Sequence, residues 1–252
     1  MPIDDQKTSA RPGRSPRDGR GRPGLSREQI VAEAIRLLDA EGIEGLSMRK
    51  LGTRLGAGAA SLYRHVAGKD ELIELVLNEV FAEFQVPAAD DPAAWRGVVV
   101  ESAHAMRTVI LRHPWTATII GGVGTVYFGQ NIMRPSEDML AVLETAGFSL
   151  REANSATATL VAYVVGMTAA EAAWLTTLTR KGVTEEEWNR EMLPAAERAV
   201  ESFPRLRELY ASYAAAQGAD GTGDPWRARD EEFAYGLDRV LDGLSAARSG
   251  CR

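Results

Sequence analysis

Residues 47–65 read SMRKLGTRLGAGAASLYRH, and they hold the side chains best suited to chemistry in this chain. The chemistry is recognition rather than catalysis. Ser61, Tyr63, Arg64 and His65 give a short helix a polar outer face, Leu51, Leu55 and Leu62 pack it against the helix before, and Gly56 supplies the tight turn. Two short helices joined by a Gly-containing turn form the helix-turn-helix pattern. The small Ala59 and Ala60 at the second helix's start let it approach base edges. Any α-hairpin shows something similar, so a plain packed hairpin stays open at this point. Upstream, residues 1–24 are rich in Arg, Pro, Gly and Ser and read as a disordered basic arm. Residues 1–8 read as a solvated tail, whereas Arg17, Arg20 and Arg22 stand close enough to the first helix to reach DNA.

Catalytic alternatives find less support. A ferritin-like di-iron bundle needs two Glu-x-x-His pairs and two further glutamates facing one core. Glu101 and His104 make one such pair and the chain offers no second. His104 and His113, nine residues apart, fall on roughly opposite faces of a helix. Gly121, Gly122 and Gly124 resemble a phosphate-binding loop but follow no strand, so they read as flexible backbone beside a pocket. No nucleophile elbow or P-loop is present, and neither an enzyme nor a cofactor is expected.

The charge distribution agrees with recognition at one end. The net charge is −6, yet residues 1–70 carry 13 Lys+Arg against 9 Asp+Glu, and the remainder carries 16 against 26. A basic head on an acidic body suits local phosphate contact. The single Cys, Cys251, excludes an intrachain disulfide framework. The N-terminal stretch has no apolar core of the signal-peptide kind, and the longest apolar run, residues 160–170, stops at Glu171. A cytoplasmic protein with no membrane partner is therefore expected.

The elements that must position these residues are all helical. Ser26 and Gln29 form a capping box that opens the first helix, Ile30, Val31, Ala34, Leu37 and Leu38 give its apolar stripe, and Gly42 ends it. Ser47 caps the second helix, the third covers residues 59–65, and a fourth runs over residues 69–84 with Leu72, Val76, Val80 and Phe84 on one face. Pro87 and the Asp90, Asp91, Pro92 cluster mark a boundary. Beyond it, helices are expected to His113, over residues 135–146, over residues 150–179 behind a Ser149–Glu152 box, after a Thr184–Glu187 box, and over residues 230–247. The fold class is all-α. The domains divide as an arm at 1–24, a three-helix head at 25–70, a connecting helix at 71–86 and a larger body at 91–248.

The order Gly42, Leu46, Ser47, Arg49, Leu51, Leu55, Gly56, then Ala60 to Val66, Lys69, Glu71 and Leu72, resembles the signature of the tetracycline-repressor family over about fifty residues. His113-Pro114-Trp115, Ala146-Gly147-Phe148 and the closing stripe from Phe233 resemble the C-terminal domain of that family. Ala57 and Gly58 depart from the usual turn, where a larger apolar residue is common. The resemblance implies a homodimeric regulator that binds double-stranded operator DNA and answers to a small-molecule effector. It places Arg49 on a base edge or phosphate, Tyr63, His65 and Lys69 on phosphates, and Ser61 and Arg64 at sequence-reading positions. A guanidinium suits guanine O6 and N7, but a solvated surface role for Arg64 is an equal alternative. A regulator without an inducer also remains open.

Two further sets follow. His104, Trp115, Tyr127, Phe128, Asn131, Met133, Tyr163, Met167 and Trp174 cluster around the Gly-broken segment and are the expected pocket residues. Phe233, Leu237, Leu241 and Leu244 form a stripe expected to meet the partner subunit beside an Ala-rich face of the long helix, with an intrachain core as the alternative.

Overall fold

A computed structural model describes residues 25–120, 129–216 and 225–249. Arg20, Arg22, Gly121, Gly122, Gly124, Tyr127 and Phe128 lie outside the described residues. The described residues contain helices and no strand.

The first four helices are α1 (Arg27–Gly45), α2 (Met48–Arg54), α3 (Ala59–Leu62) and α4 (Lys69–Phe81), the last leading from the head toward the body. Both arms of the Ser26–Gln29 capping box are formed, and Gly42, at φ 72, interrupts α1 three residues before its end. Ser47 accepts from the Lys50 amide and starts α2. Ile30, Ala34, Leu37, Leu51, Leu62 and Leu72 are fully buried and hold the four helices together. Gly56 takes φ 63 at the turn, a left-handed conformation that other residues adopt at a cost. Gly52 matters for a different reason. A Cβ there would sit 2.8 Å from the Ala57 carbonyl oxygen, so only glycine lets α2 meet the turn this closely.

The body holds α5 (Trp95–Arg112), α6 (Trp115–Ile120), α7 (Gln130–Thr145), α8 (Leu150–Lys181), α9 (Glu185–Ala199), α10 (Pro204–Ala216) and α11 (Pro225–Ser249). The capping boxes at Ser149 and Thr184 are both closed. Gly182 ends α8 in a left-handed cap. Several boundaries differ from expectation: α3 ends at Leu62 rather than residue 65, and α11 begins at Pro225 rather than residue 230. α4 stops at Phe81 and a turn carries Phe84 back into the core. α7 begins at Gln130, upstream of Pro135, because a proline removes one helical hydrogen bond without ending a helix that packing holds on both sides. No motif announced α10.

α8 is the spine, with α5, α6, α7 and α11 all packed on it. By length and composition alone it could cross a membrane, because an 18-residue window of it reaches a mean hydropathy of 1.4 with few charges. Its Ala153, Ala156, Leu160 and Val164 belong instead to the hydrophobic core of the body.

α5, α8 and α11 are pinned by a buried charge. The Arg107 guanidinium donates to Glu171 twice, at 2.8 and 2.9 Å, and to Asp230, and it lies 5.0 Å from the Phe233 ring centre. Burial opposes its charge, but the bonds to Glu171 and Asp230 prevail and its pKa is raised.

The closing stripe requires a correction. Phe233, Leu237 and Leu241 are 2, 1 and 0% exposed within a single chain, and Leu244 packs against the same core. Tyr163 donates to the Phe233 carbonyl at 2.7 Å and lies against its ring. Phe233, Leu237 and Leu241 thus seal α11 to its own body, the intrachain alternative, while Leu244 stays partly exposed.

Candidate functional site

The head sorts its charges into two groups. Arg27 pairs with Glu71, Arg36 and Arg54 both pair with the buried Glu33, and Lys50 pairs with Glu41. Glu71 also accepts from the Ala67 amide, fixing the corner between α3 and α4. These pairs brace the domain. Arg49 and Lys69 are exposed and pair with no carboxylate among the described residues. Among the described residues Arg64 donates to Ser61 Oγ, at 3.2 Å, and Tyr63 stands 54% exposed beside a fully buried Leu62. Ser61 and His65 are half-buried. Exposed cations without counter-charges, next to a phenol held outward, can meet a phosphate backbone and the edges of bases.

Head meets body at Asp39, near the end of α1. One of its oxygens, Oδ1, accepts from Trp115 Nε1 at 2.8 Å and lies 2.7 Å from His113 Nδ1. The other ring nitrogen of His113 is buried without a hydrogen-bond partner among the described residues, and Glu83 Oε1 lies 3.6 Å from it. Glu83 in turn pairs with Arg112. A second junction joins α4 to α7. The Asn131 amide donates to Asn78 Oδ1, and Asn131 Nδ2 donates to the Asn78 carbonyl, both at 2.9 Å.

Inside the body lies a cavity of about 310 Å³, at the lower end of the ~300–1,000 Å³ usual for small-molecule sites. α4 contributes Leu77 and Phe81, with Phe84 and Val86 just beyond it. Val99, Ser102, Ala103 and Met106 come from α5, Ile119 and Ile120 from α6, and Ile132, Pro135, Ser136 and Met139 from α7. α8 closes it with Thr157, Leu160, Val161 and Val164.

None of the described residues expected at the pocket lines this cavity. His104 stacks edge-on against Phe233, Trp115 is spent on Asp39, and Asn131 on Asn78. Tyr163 bonds to α11, Met167 packs at the core's edge, Trp174 meets Trp188 edge to face, and Met133 is 49% exposed. The expected tryptophans and Tyr163 fill the core or bridge helices, and, apart from Phe81 and Phe84, the void falls between smaller side chains. Asp39, Gly52 and Ser102 escaped sequence reasoning; only Gly52, a glycine inside a helical pattern, carried a local signal.

Two family models match the chain: "Bacterial regulatory proteins, tetR family" over residues 30–76, and "Tetracyclin repressor-like, C-terminal domain" over residues 87–248. The chain belongs to the tetR family. This member is 31% identical over 239 residues to the HTH-type transcriptional repressor DrrR1 of Streptomyces coeruleorubidus, covering 94% of this chain and 82% of that one. It is 28% identical to the class A tetracycline repressor protein from transposon 1721 of Escherichia coli, covering 89% and 92%. Among solved structures, ActR of Streptomyces coelicolor without ligand superposes with a TM-score of 0.70 at 27% identity, covering 92% of this chain and 100% of that one. ActR in complex with actinorhodin gives 0.70 at 28%, covering 90% and 98%. The all-α architecture and the helix-turn-helix head are those of the family, and the protein is a DNA-binding transcription regulator.

Proposed function

We propose that this tetR-family regulator is a cytoplasmic homodimeric repressor that holds a partly palindromic operator and releases it when a small, largely apolar molecule fills the cavity. In this reading Arg49, Tyr63, His65 and Lys69 position the duplex, and Ser61 and Arg64 read bases. Arg20 and Arg22 reach the adjacent minor groove from the arm. Residues 25–70 are the reading head and 91–248 the body. The name of the relative DrrR1 supports repression, and ActR holding actinorhodin supports a ligand in the body. Because Phe233, Leu237 and Leu241 are buried within the chain, dimer contact falls to the outward faces of α8 and α11, where Ala158, Ala162 and Tyr235 are exposed. No catalysis is part of this reading, nor a cofactor.

The observation that carries it is the reach of α4. Its first residue, Lys69, is exposed beside the α3 corner, and its last turns, through Leu77 and Phe81, form a cavity wall. Twelve residues separate Lys69 from Phe81, about 18 Å of one rigid rod. A molecule that displaces Phe81 therefore moves the residue that anchors a phosphate. It shifts the equilibrium only by its differential affinity for the two states, and coupling of roughly 1–3 kcal/mol is expected.

The test is operator selection with purified protein, followed by operator affinity titrated with each compound that binds. A compound that fills the cavity and lowers operator affinity supports the reading. A tight binder in the cavity that leaves operator affinity untouched refutes gating, and a regulator without an inducer takes its place.

A further inference from the structure

Ser102 lies in the middle of α5, 2% exposed, and lines the cavity. Its Oγ is buried with no hydrogen-bond partner among the described residues. The neighbouring hydroxyls of the same body behave differently. Thr108, Thr157 and Thr168 each donate to the carbonyl one helical turn back, at 2.9, 2.8 and 2.6 Å. Ser102 makes no such bond, and an unmade bond on a buried hydroxyl costs stability. A polar group kept at that cost on a cavity wall is a group waiting for a ligand atom.

The rest of the wall restricts what the ligand can be. No Asp, Glu, Lys, Arg or His is among the described residues lining the cavity. The nearby buried cation, Arg107, is committed to Glu171 and Asp230, and His104 packs on Phe233. An ion entering here loses its hydration and gains no counter-charge. A ligand that arrives chelated to a metal finds no carboxylate or imidazole on this wall to complete the coordination. The Thr157 proton is already given to Ala153, and Ser136 is exposed, so Ser102 is the buried donor that remains.

We infer that the cavity takes an uncharged, metal-free, largely apolar molecule carrying an oxygen acceptor, such as a ring carbonyl, that the Ser102 hydroxyl binds. This inference rests on the cavity's proposed role as the effector site, and it adds the ligand's chemical class and the residue that selects it.

Three compounds of one shape test it: 9-fluorenone, with a carbonyl; fluorene, without; and a 9-fluorenone carboxylate, charged at neutral pH. Their binding to the full-length protein and to Ser102→Ala is measured by calorimetry, with operator affinity measured separately. Fluorenone should bind the wild-type protein about 3- to 10-fold tighter than fluorene, the worth of one hydrogen bond. The carboxylate should bind at least about 10-fold more weakly than fluorenone, and magnesium or a chelator should change nothing. In Ser102→Ala the gap between fluorenone and fluorene should close, and the unliganded variant should melt at a higher temperature because the orphaned hydroxyl is gone. A carboxylate that binds as well as fluorenone, a gap that survives Ser102→Ala, a requirement for magnesium, or binding of none of the three overturns the inference. Binding in the expected order without operator release leaves the inference standing and removes the gating role instead.

Discussion

In the head, Arg49, Tyr63, Arg64 and Lys69 stand outward on a scaffold of fully buried leucines. In the body the polarity is reversed. The candidate binding surface faces inward, is almost wholly apolar, and keeps one orphaned hydroxyl. Charges follow the same division. Arg49 and Lys69 pair with no carboxylate among the described residues, as phosphate contact would require, whereas Arg27, Arg36, Lys50 and Arg54 in the head and the buried Arg107 in the body are neutralised by their own chain. A charge that is to bind something else must stay solvated until it does so, and a charge that braces a fold must be neutralised at once.

The sharpest break of that comparison is a swap of consequences. Arg107→Leu leaves Glu171 buried without a partner, and urea unfolding should register a loss of about 3–5 kcal/mol, much of it recovered when Glu171→Leu is added. Arg49→Ala in the head should shift stability by no more than about 0.5 kcal/mol while weakening operator binding. If Arg107→Leu proves as mild as Arg49→Ala, the division fails.

Gly52→Val probes the head alone. The added side chain meets the Ala57 carbonyl, and overpacking of this kind costs about 1–3 kcal/mol. Operator binding should fall with the head's melting transition, while compounds that bind in the body should keep their affinity.

Within the reading surface, the exposed residues should separate by what they touch. Arg64→Ala and Ser61→Ala should alter preference at defined half-site positions by about 1–3 kcal/mol, and Tyr63→Phe and Lys69→Ala should weaken all sequences alike. Competition binding on single-base operator variants checks both. A uniform loss for Arg64 makes it a surface arginine.

These residues also show what was legible in the sequence. The capping boxes at Ser26, Ser149 and Thr184 were readable because each is closed within three residues. Gly56 was readable because its left-handed turn is a local demand. The cavity was not, because five helices share its wall and no periodicity reports a void. Trp115 and Trp174 had the right chemistry for a pocket and the wrong neighbours, Asp39 and Trp188. The stripe from Phe233 was correct as a stripe, but periodicity names an apolar face without naming what covers it.

Smaller effects sit at the junction and at the caps. Asp39→Ala removes both bonds between α1 and the 113–115 segment. It should leave operator and ligand affinities measurable but cut the coupling between them by about 1 kcal/mol, read as operator affinity with and without a cavity ligand. Unchanged coupling would assign transmission to α4 alone. The smallest effect is in acid. Hydrogen bonds from Ser149, side chain and backbone, lower the pKa of Glu152, and bonds from Thr184 do the same for Glu187. A lowered folded-state pKa means these carboxylates stabilise their helix starts above the ordinary carboxylate range and stop doing so as the pH falls through the lowered values. Amide exchange in the first turns of α8 and α9 should quicken there, and equal rates at neutral and acid pH, corrected for chemistry, would count against the caps.

His113 and Trp115 flank Pro114, and both meet a single oxygen of Asp39. The indole is 4% exposed, its N–H is bonded to a carboxylate, and the His113 ring centre lies 6.1 Å away. Burial and the hydrogen bond to Asp39 both shape the colour and yield of its emission, and both change if α1 moves away. In a variant that keeps Trp115 and replaces the other four tryptophans, the protein carries its own optical gauge of how often the head lets go of the body, readable in the cuvette without dye, label or DNA.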